Sequence, residues 1–319
     1  MAPTNHNDYT ALTTAAALLE RPTAGLLVLT DADRHDFLHR MTTNQINKLQ
    51  PGEATVTVLT SPMARMLFVF TVLVRPEELW LLPAPGQTTT LERHLRGQIF
   101  FMDKVKVRNA TETHHRGRLL GPQAAQQLAS LGFAVTTLAD DHWLEQDGVV
   151  ILAQRQFDVP GFEIIAPLAQ YDALVAKFTA AGITQLADDS AYESYRIELG
   201  RPLVGHELTE EYNPLEAGLA WTCADNKGCY TGQEIIARQI TYDKITKSLV
   251  GLRSPQLLPV GAEITADGRA VGVVTSATTS MGMAAPIALA IVKRPYHEAG
   301  TTLNVDRQAV EVAALPFRT

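Results

Sequence analysis

"ATVTVLTSPMARMLFVFTVLVRPEELWLL", residues 54–82, decides how this chain is read. Apolar and β-branched side chains fill three runs, 54–60, 66–74 and 78–82. Between them stand "SPMAR" and "RPE", whose prolines suit turns and break ladders. Runs joined this tightly predict an antiparallel meander, because parallel strands need a crossover of about a dozen residues or more. Working outward, "GLLVLT" (25–30) reads as a buried strand and "KVKVRNA" (104–110) as an alternating one. Helices are expected over 10–20, 31–49 and 88–100. In the second, Phe37, Leu38 and Met41 share a face, and Thr30 or Asp31 would cap it. Neither βαβ regularity nor a dinucleotide fingerprint is present, so the fold class is α+β with antiparallel sheets.

Two further units follow the first, which spans 1–115. The stretch 116–245 alternates helices (121–132, 168–182, 190–202) with the strands "VVILAQ" and "FEIIAP" around a "FDVPG" turn. From 246 to 319 short β-rich runs joined by Gly, Pro and Ser, with an "ADG" hairpin signal, predict a small β-barrel.

Bulk properties exclude several classes. The net charge of −7 argues against general nucleic-acid binding. No run approaches the roughly 18 apolar residues of a spanning helix, and "MAPTNHNDYT" is not a secretory signal, so no membrane partner is expected. Two cysteines make no disulfide framework and fall short of the thiolates of a resident iron–sulfur cluster. A cytoplasmic, reducing setting is the expectation. P-loop, zincin and nucleophile-elbow motifs are absent, Cys223 and Cys229 match no zinc spacing, and no metal site is expected. His114–His115 reads as an exposed strand end.

Three stretches rise above that background. "KGCYTGQE" (227–234) places Cys229 between Gly228 and Gly232, ahead of a helix that Gln233 and Glu234 would open. A cysteine near a helix N-terminus, with Lys227 close by, would favour its thiolate. Burial in a tight turn is the plainer reading, since free cysteine is among the most buried residues. "PGFEIIAP" (160–167) sets Glu163 in an apolar strand. There it is either a solvent-facing residue or a buried acceptor for adjacent N–H donors such as those of an aminopyrimidine. "YESYRIELGRPLVGHELTEEYNPLEAGL" (192–219) carries Arg196, either paired with a neighbouring glutamate or anchoring a ligand carboxylate.

In this order the stretches resemble the glycine-cleavage T-protein (aminomethyltransferase) superfamily. "KGCYTGQE" is similar to the signature of its YgfZ-type branch, folate-binding proteins tied to iron–sulfur enzyme maintenance. The resemblance extends from 27–54 to the C-terminal β-rich segment. It implies a three-domain cloverleaf around a central folate channel, with tetrahydrofolate or a derivative as ligand. Glu163 would hold the pterin and Arg196 would help shape the site. Arg65 would face the pocket, and Cys229, flanked by Lys227 and Tyr230, would stay accessible at the rim. Iron–sulfur client or assembly proteins are the implied partners.

One departure bears on chemistry. Aminomethyltransferases carry an Asp–Asp pair on the strand after a glycine turn. Here Phe68 and Val69 stand there, no acid lies between Glu53 and Glu77, and the usual Gly-Arg is Ala64-Arg65. The expectation is therefore a folate-binding accessory protein with Cys229 as functional thiol. The alternative is a folate-dependent aminomethyl- or demethylating transferase using another acid, and a third reading is an interaction module built on the acidic 207–216 loop.

Overall fold

The computed structural model describes residues 6–318. The meander forms as the sequence dictates: Ala54–Thr60, Met66–Val74 and Leu79–Pro83 pair antiparallel in chain order, and Leu27–Thr30 and Lys106–Asn109 complete a five-stranded sheet. Helices Arg34–Met41 and Thr88–Gly97 cover one face, where Phe37, Leu38, Leu91 and Leu95 meet Phe70, Val72 and Leu81. The opposite face sends Val28, Leu73, Trp80 and Leu82 against Val150, Leu152 and Ile165 of a second sheet.

That second sheet has six strands in the order Thr184–Gln185, Ala17–Glu20, His114–Leu120, Gly161–Pro167, Val149–Gln154 and Trp143–Gln146. Helices Ala124–Ser130 and Leu168–Ala180 cover its outer face through Leu128, Tyr171, Leu174 and Phe178. The result is a helix–sheet–sheet–helix stack with strand faces buried on both sides.

Four expectations need correction. The helix expected over 31–49 covers only Arg34–Met41, and 42–49 continue as bridge and turns. The segment 10–20 is not one helix: the helix His6–Thr14 ends early and Ala17–Glu20 is a strand. Alanine and leucine favour a helix only weakly, and pairing with His114–Leu120 overrides them. Neither Thr30 nor Asp31 caps the next helix; Asp33 occupies that position, and its carboxylate accepts from the Lys104 amide instead. His114–His115 opens a central strand rather than ending an exposed one, and His115 stacks on Tyr171 at 4.0 Å. Because Ala17–Glu20 crosses into the second sheet, residues 1–115 supply strands to both sheets.

The C-terminal segment closes into a six-stranded barrel, Lys247–Arg253, Ala285–Lys293, Arg269–Ser280, Glu263–Ala266, Thr302–Val305 and Gln308–Ala313. Closure leaves no sheet edge exposed. The barrel docks on helix Ser190–Glu198, where Ile197 packs on Ile287 and Leu289. Fully buried Glu198 accepts from Tyr9, Ser280 and Arg318 at 2.5, 2.6 and 3.2 Å. One carboxylate thus joins the first helix, the barrel and the C-terminal tail.

Gly161 lets the central strands approach, since a Cβ there would lie 2.3 Å from the Leu119 carbonyl oxygen. Gly161→Ala is expected to lower stability by about 2 kcal/mol or more in urea unfolding. A change within about half a kcal/mol would show that the strands give way.

Candidate functional site

A cavity of about 560 Å³ opens where the two sheets meet helix Ser190–Glu198 and the 202–208 loop. That volume lies in the roughly 300–1,000 Å³ range of small-molecule sites. Its apolar wall includes Val69, Leu82, Phe157, Leu203 and Leu208, surfaces suited to the faces of a flat ring.

The polar wall is a buried charge ladder on neighbouring strands. Arg116 and Arg118 sit two apart on His114–Leu120, so their side chains share one face. Glu163 pairs with Arg118 across the ladder. Arg116 Nε donates to Glu163 Oε1 at 2.7 Å, and Arg118 Nη1 lies 3.8 Å from Oε2. Arg118 also donates to Gln154 Oε1 at 2.7 Å and contacts Asp158 at 3.2 Å. Gln154 in turn donates to Thr71 at 2.9 Å. Arg21 Nη2 and the Tyr192 hydroxyl hold the Asp158 oxygens at 3.0 and 2.7 Å.

Burial alone would raise the Asp158 pKa. Arg118, Arg21 and the Tyr192 hydroxyl outweigh it and bring the carboxyl from 3.8 to about 2. The same setting pushes the Tyr192 phenol well above its ordinary value, through burial first and the Asp158 charge second. Arg21, Arg116 and Arg118 face Asp158 and Glu163, and Glu20, Asp188, Asp189 and Glu193 complete the charged lining, so carboxylates outnumber guanidinium groups six to three. Arg118 Nε has no partner among the described residues, so a donor remains for a ligand acceptor.

The residues expected at the site do not all converge. Glu163 lines the cavity at 2% exposure, as a buried acceptor rather than a surface residue. Val69 lines it too, while Phe68 turns into the core against the His94 ring at 5.6 Å. Arg196 is not on the lining. Its guanidinium is 1% exposed and is consumed by Glu193 at 2.7 Å, Glu207 at 3.2 Å and Ser276 at 2.8 Å. It reaches the cavity indirectly, by fixing Glu193, which lines it, and through Glu207, which holds the Leu203 amide. Arg65 faces elsewhere as well, donating to the Glu211 carbonyl at 2.8 Å and pairing with Glu216 at 3.4 Å.

In "KGCYTGQE" the roles divide. Cys229 is exposed but does not line the cavity, and Cys223 is buried, its thiol pushed up to about 11 by burial. Lys227 does not assist Cys229. Its ammonium turns inward to the carbonyls of His39, Thr42 and Asn44 at the end of helix Arg34–Met41, with 2.6 Å to His39 and 2.8 Å to Asn44. Burial pushes its pKa down to about 7, while three carbonyls at a helix C-terminus favour the cation. Tyr230 is buried with Ala64, Leu215 and Ile236, and Gly232 starts helix Gln233–Thr241 in the left-handed region at φ +83°. Glu234 lies in the first turn of that helix, where the helix dipole favours an anion.

Arg21, Arg116, Arg118, Gln154, Asp158 and Tyr192 were not singled out in the sequence. The one available signal was "HHRGRLL", two arginines at strand spacing in an apolar setting.

A double-sheet α+β body holding one buried, charge-lined cavity and carrying a closed barrel defines a class of ligand-binding folds. Residues 1–227 match the GCVT N-terminal domain and residues 247–318 the glycine cleavage T-protein C-terminal barrel domain. The chain belongs to the glycine cleavage T-protein family. An Arabidopsis thaliana chloroplastic protein named as a candidate transferase is 30% identical over 287 residues, 88% of this chain and 66% of that protein, so this chain spans just under two thirds of its length. An aminomethyltransferase of Desulforamulus reducens is 26% identical over 317 residues, covering 93% and 84% of the two chains. The structure of glycine cleavage system aminomethyltransferase T from Bartonella henselae superposes with a TM-score of 0.89 at 22% identity, over 98% of this chain and 88% of that one. The fold is that of the T-protein.

Asp158 sits below its unfolded value, so its contribution is complete above about pH 4 and is lost as pH falls toward about 2. Asp158→Asn is expected to cost about 3 kcal/mol at neutral pH, and the gap from wild type should close by about 2 kcal/mol between pH 4 and pH 2. Urea titrations across that range measure both; a gap constant with pH would contradict the assignment. For Lys227→Met, the alkylation rate of Cys229 at neutral pH should stay within about twofold of wild type, because the ammonium faces away. A drop of about tenfold or more would return Lys227 to the thiol.

Proposed function

We propose that the protein binds a reduced folate in this cavity and acts as an accessory to iron–sulfur enzymes, with Cys229 as its working thiol. One observation carries the ligand reading: Glu163 is buried at the cavity wall with Arg116 on one oxygen, leaving the other 3.8 Å from Arg118. An aminopyrimidine edge offers adjacent N–H donors that such a carboxylate accepts. Apolar side chains suit the ring faces, and the unpartnered Arg118 Nε suits an electron-rich oxygen. The donor set therefore fits the group that the family's aminomethyltransferases act with.

The accessory reading is supported by what faces the cavity from strand Met66–Val74. Val69 and Thr71 line it, so no carboxylate on that strand is available to exchange a proton. Asp158, held near 2 by Arg118, Arg21 and Tyr192, stays ionised at neutral pH and makes a poor general acid there. "KGCYTGQE" supports the thiol reading: its lysine, tyrosine and glycine are built into the fold, and the cysteine is left in solvent. Client iron–sulfur or assembly proteins are the partners this implies.

Titration with tetrahydrofolate should saturate, and Glu163→Gln should weaken binding by about tenfold or more, with circular dichroism confirming the fold. Absence of saturable binding by the wild type would sink the ligand reading. Turnover of a methylamine donor with tetrahydrofolate would move the protein to the transferases. Cys229→Ala, expressed in cells lacking the protein, should fail to restore iron–sulfur enzyme activities while keeping folate affinity. Full restoration would make the thiol dispensable.

A further inference from the structure

The turn after helix Thr88–Gly97 exposes three consecutive large apolar side chains, Phe100 at 68%, Phe101 at 98% and Met102 at 72%. Soluble surfaces carry isolated apolar residues freely, but contiguous ones mark contact sites. The turn is held in shape. Asp103 N donates to the Phe100 carbonyl and Phe100 N donates to Asp103 Oδ2, each at 2.9 Å. Arg40 holds the same carboxylate at 2.5 Å. The tip therefore presents its apolar side chains by construction, and its acid is turned inward.

The charge around the tip runs against that of the whole chain. Residues 93–108 contain five basic residues and one acidic residue, in a protein of net charge −7; Asp31, Asp33 and Asp36 adjoin the same turn, through Lys106, the Lys104 amide and Arg40. Arg93, Arg96, Lys104, Lys106 and Arg108 are all exposed. Arg96 pairs with Glu92 and Lys106 with Asp31; Arg93, Lys104 and Arg108 have no ion pair among the described residues. Arg96 also donates to the Val107 carbonyl at 2.8 Å, joining the helix end to strand Lys106–Asn109. Basic side chains thus flank an apolar point from both sides.

We propose that this tip is a peripheral membrane-binding element for anionic lipid surfaces. Aromatic and methionine side chains enter the headgroup boundary, and flanking lysines and arginines meet its negative potential. A bilayer is favoured over a protein partner because the three apolar side chains stand mostly in solvent and the exposed cations lie on both sides of them in the chain. The sequence expectation of no membrane partner rested on spanning segments, and no helix among the described residues is long and apolar enough to cross a bilayer. A three-residue tip lies outside that criterion.

Co-sedimentation of the full chain with phosphatidylcholine vesicles, with and without about 30% phosphatidylserine, tests the proposal. Wild type should sediment with the anionic vesicles only, and salt should release it. Phe100→Ser/Phe101→Ser/Met102→Ser and, separately, Lys104→Glu/Lys106→Glu should each reduce binding by about tenfold or more, with unchanged melting temperature. No sedimentation of wild type overturns the proposal. So does a tip-dependent dimer in light scattering without vesicle binding, which would make the tip a protein interface.

Discussion

The Arg116–Glu163 pair, 2.7 Å apart and almost wholly buried, is the constraint on which the site depends. Ionised groups leave water at a cost of several kcal/mol each, recovered only where geometry and extra hydrogen bonds are good. Both conditions hold. Arg116 Nη1 also donates to the Pro83 carbonyl, in the five-stranded sheet, and to that of Gly25, just ahead of its strand Leu27–Thr30. One guanidinium thus fastens the two sheets together beside the cavity. A buried ion pair is weak evidence for stability, since apolar residues of similar size often do as well. What the pair does is hold a carboxylate rigid and dry at the cavity wall.

The same logic explains "KGCYTGQE". An ammonium has three donors, and Lys227 finds three carbonyls where helix Arg34–Met41 ends. Tyr230 fills the space beside Ala64 and Cys223. Gly232 packs so closely on the 61–64 turn that a Cβ would lie 2.7 Å from the Ser61 carbonyl oxygen. Ala64 adopts φ +59° where glycine is the easier residue, a strain offset by the burial of its methyl group. A loop fixed at three points holds the intervening cysteine in one place, in solvent. The thiol is accessible there, and the neighbouring lysine is turned to other partners.

Arg196 links the barrel to the cavity without touching a ligand. Ser276, beside a register shift in strand Arg269–Ser280, donates to Glu207 at 2.6 Å, and Glu207 accepts from Arg196 and from the Leu203 amide. Leu203 lines the cavity. The barrel therefore shapes the cavity wall through a fully hydrogen-bonded buried network, which is rigid only when every member is present.

The sequence by itself determined the α+β class, the meander, the barrel and the family. These follow from local patterns: period-two alternation, prolines at turns, and motifs in a fixed order. It also isolated Glu163, because a carboxylate inside an apolar strand demands an explanation. Tertiary structure alone decided which strands pair, and so moved Ala17–Glu20 from a predicted helix into the second sheet. It alone brought Arg21, Arg116, Arg118 and Asp158 together from separate segments, since buried charges are recognisable only once their partners are placed. It turned Lys227, Arg196 and Arg65 away from the site, because a long cationic side chain goes where acceptors converge, and sequence spacing does not record that.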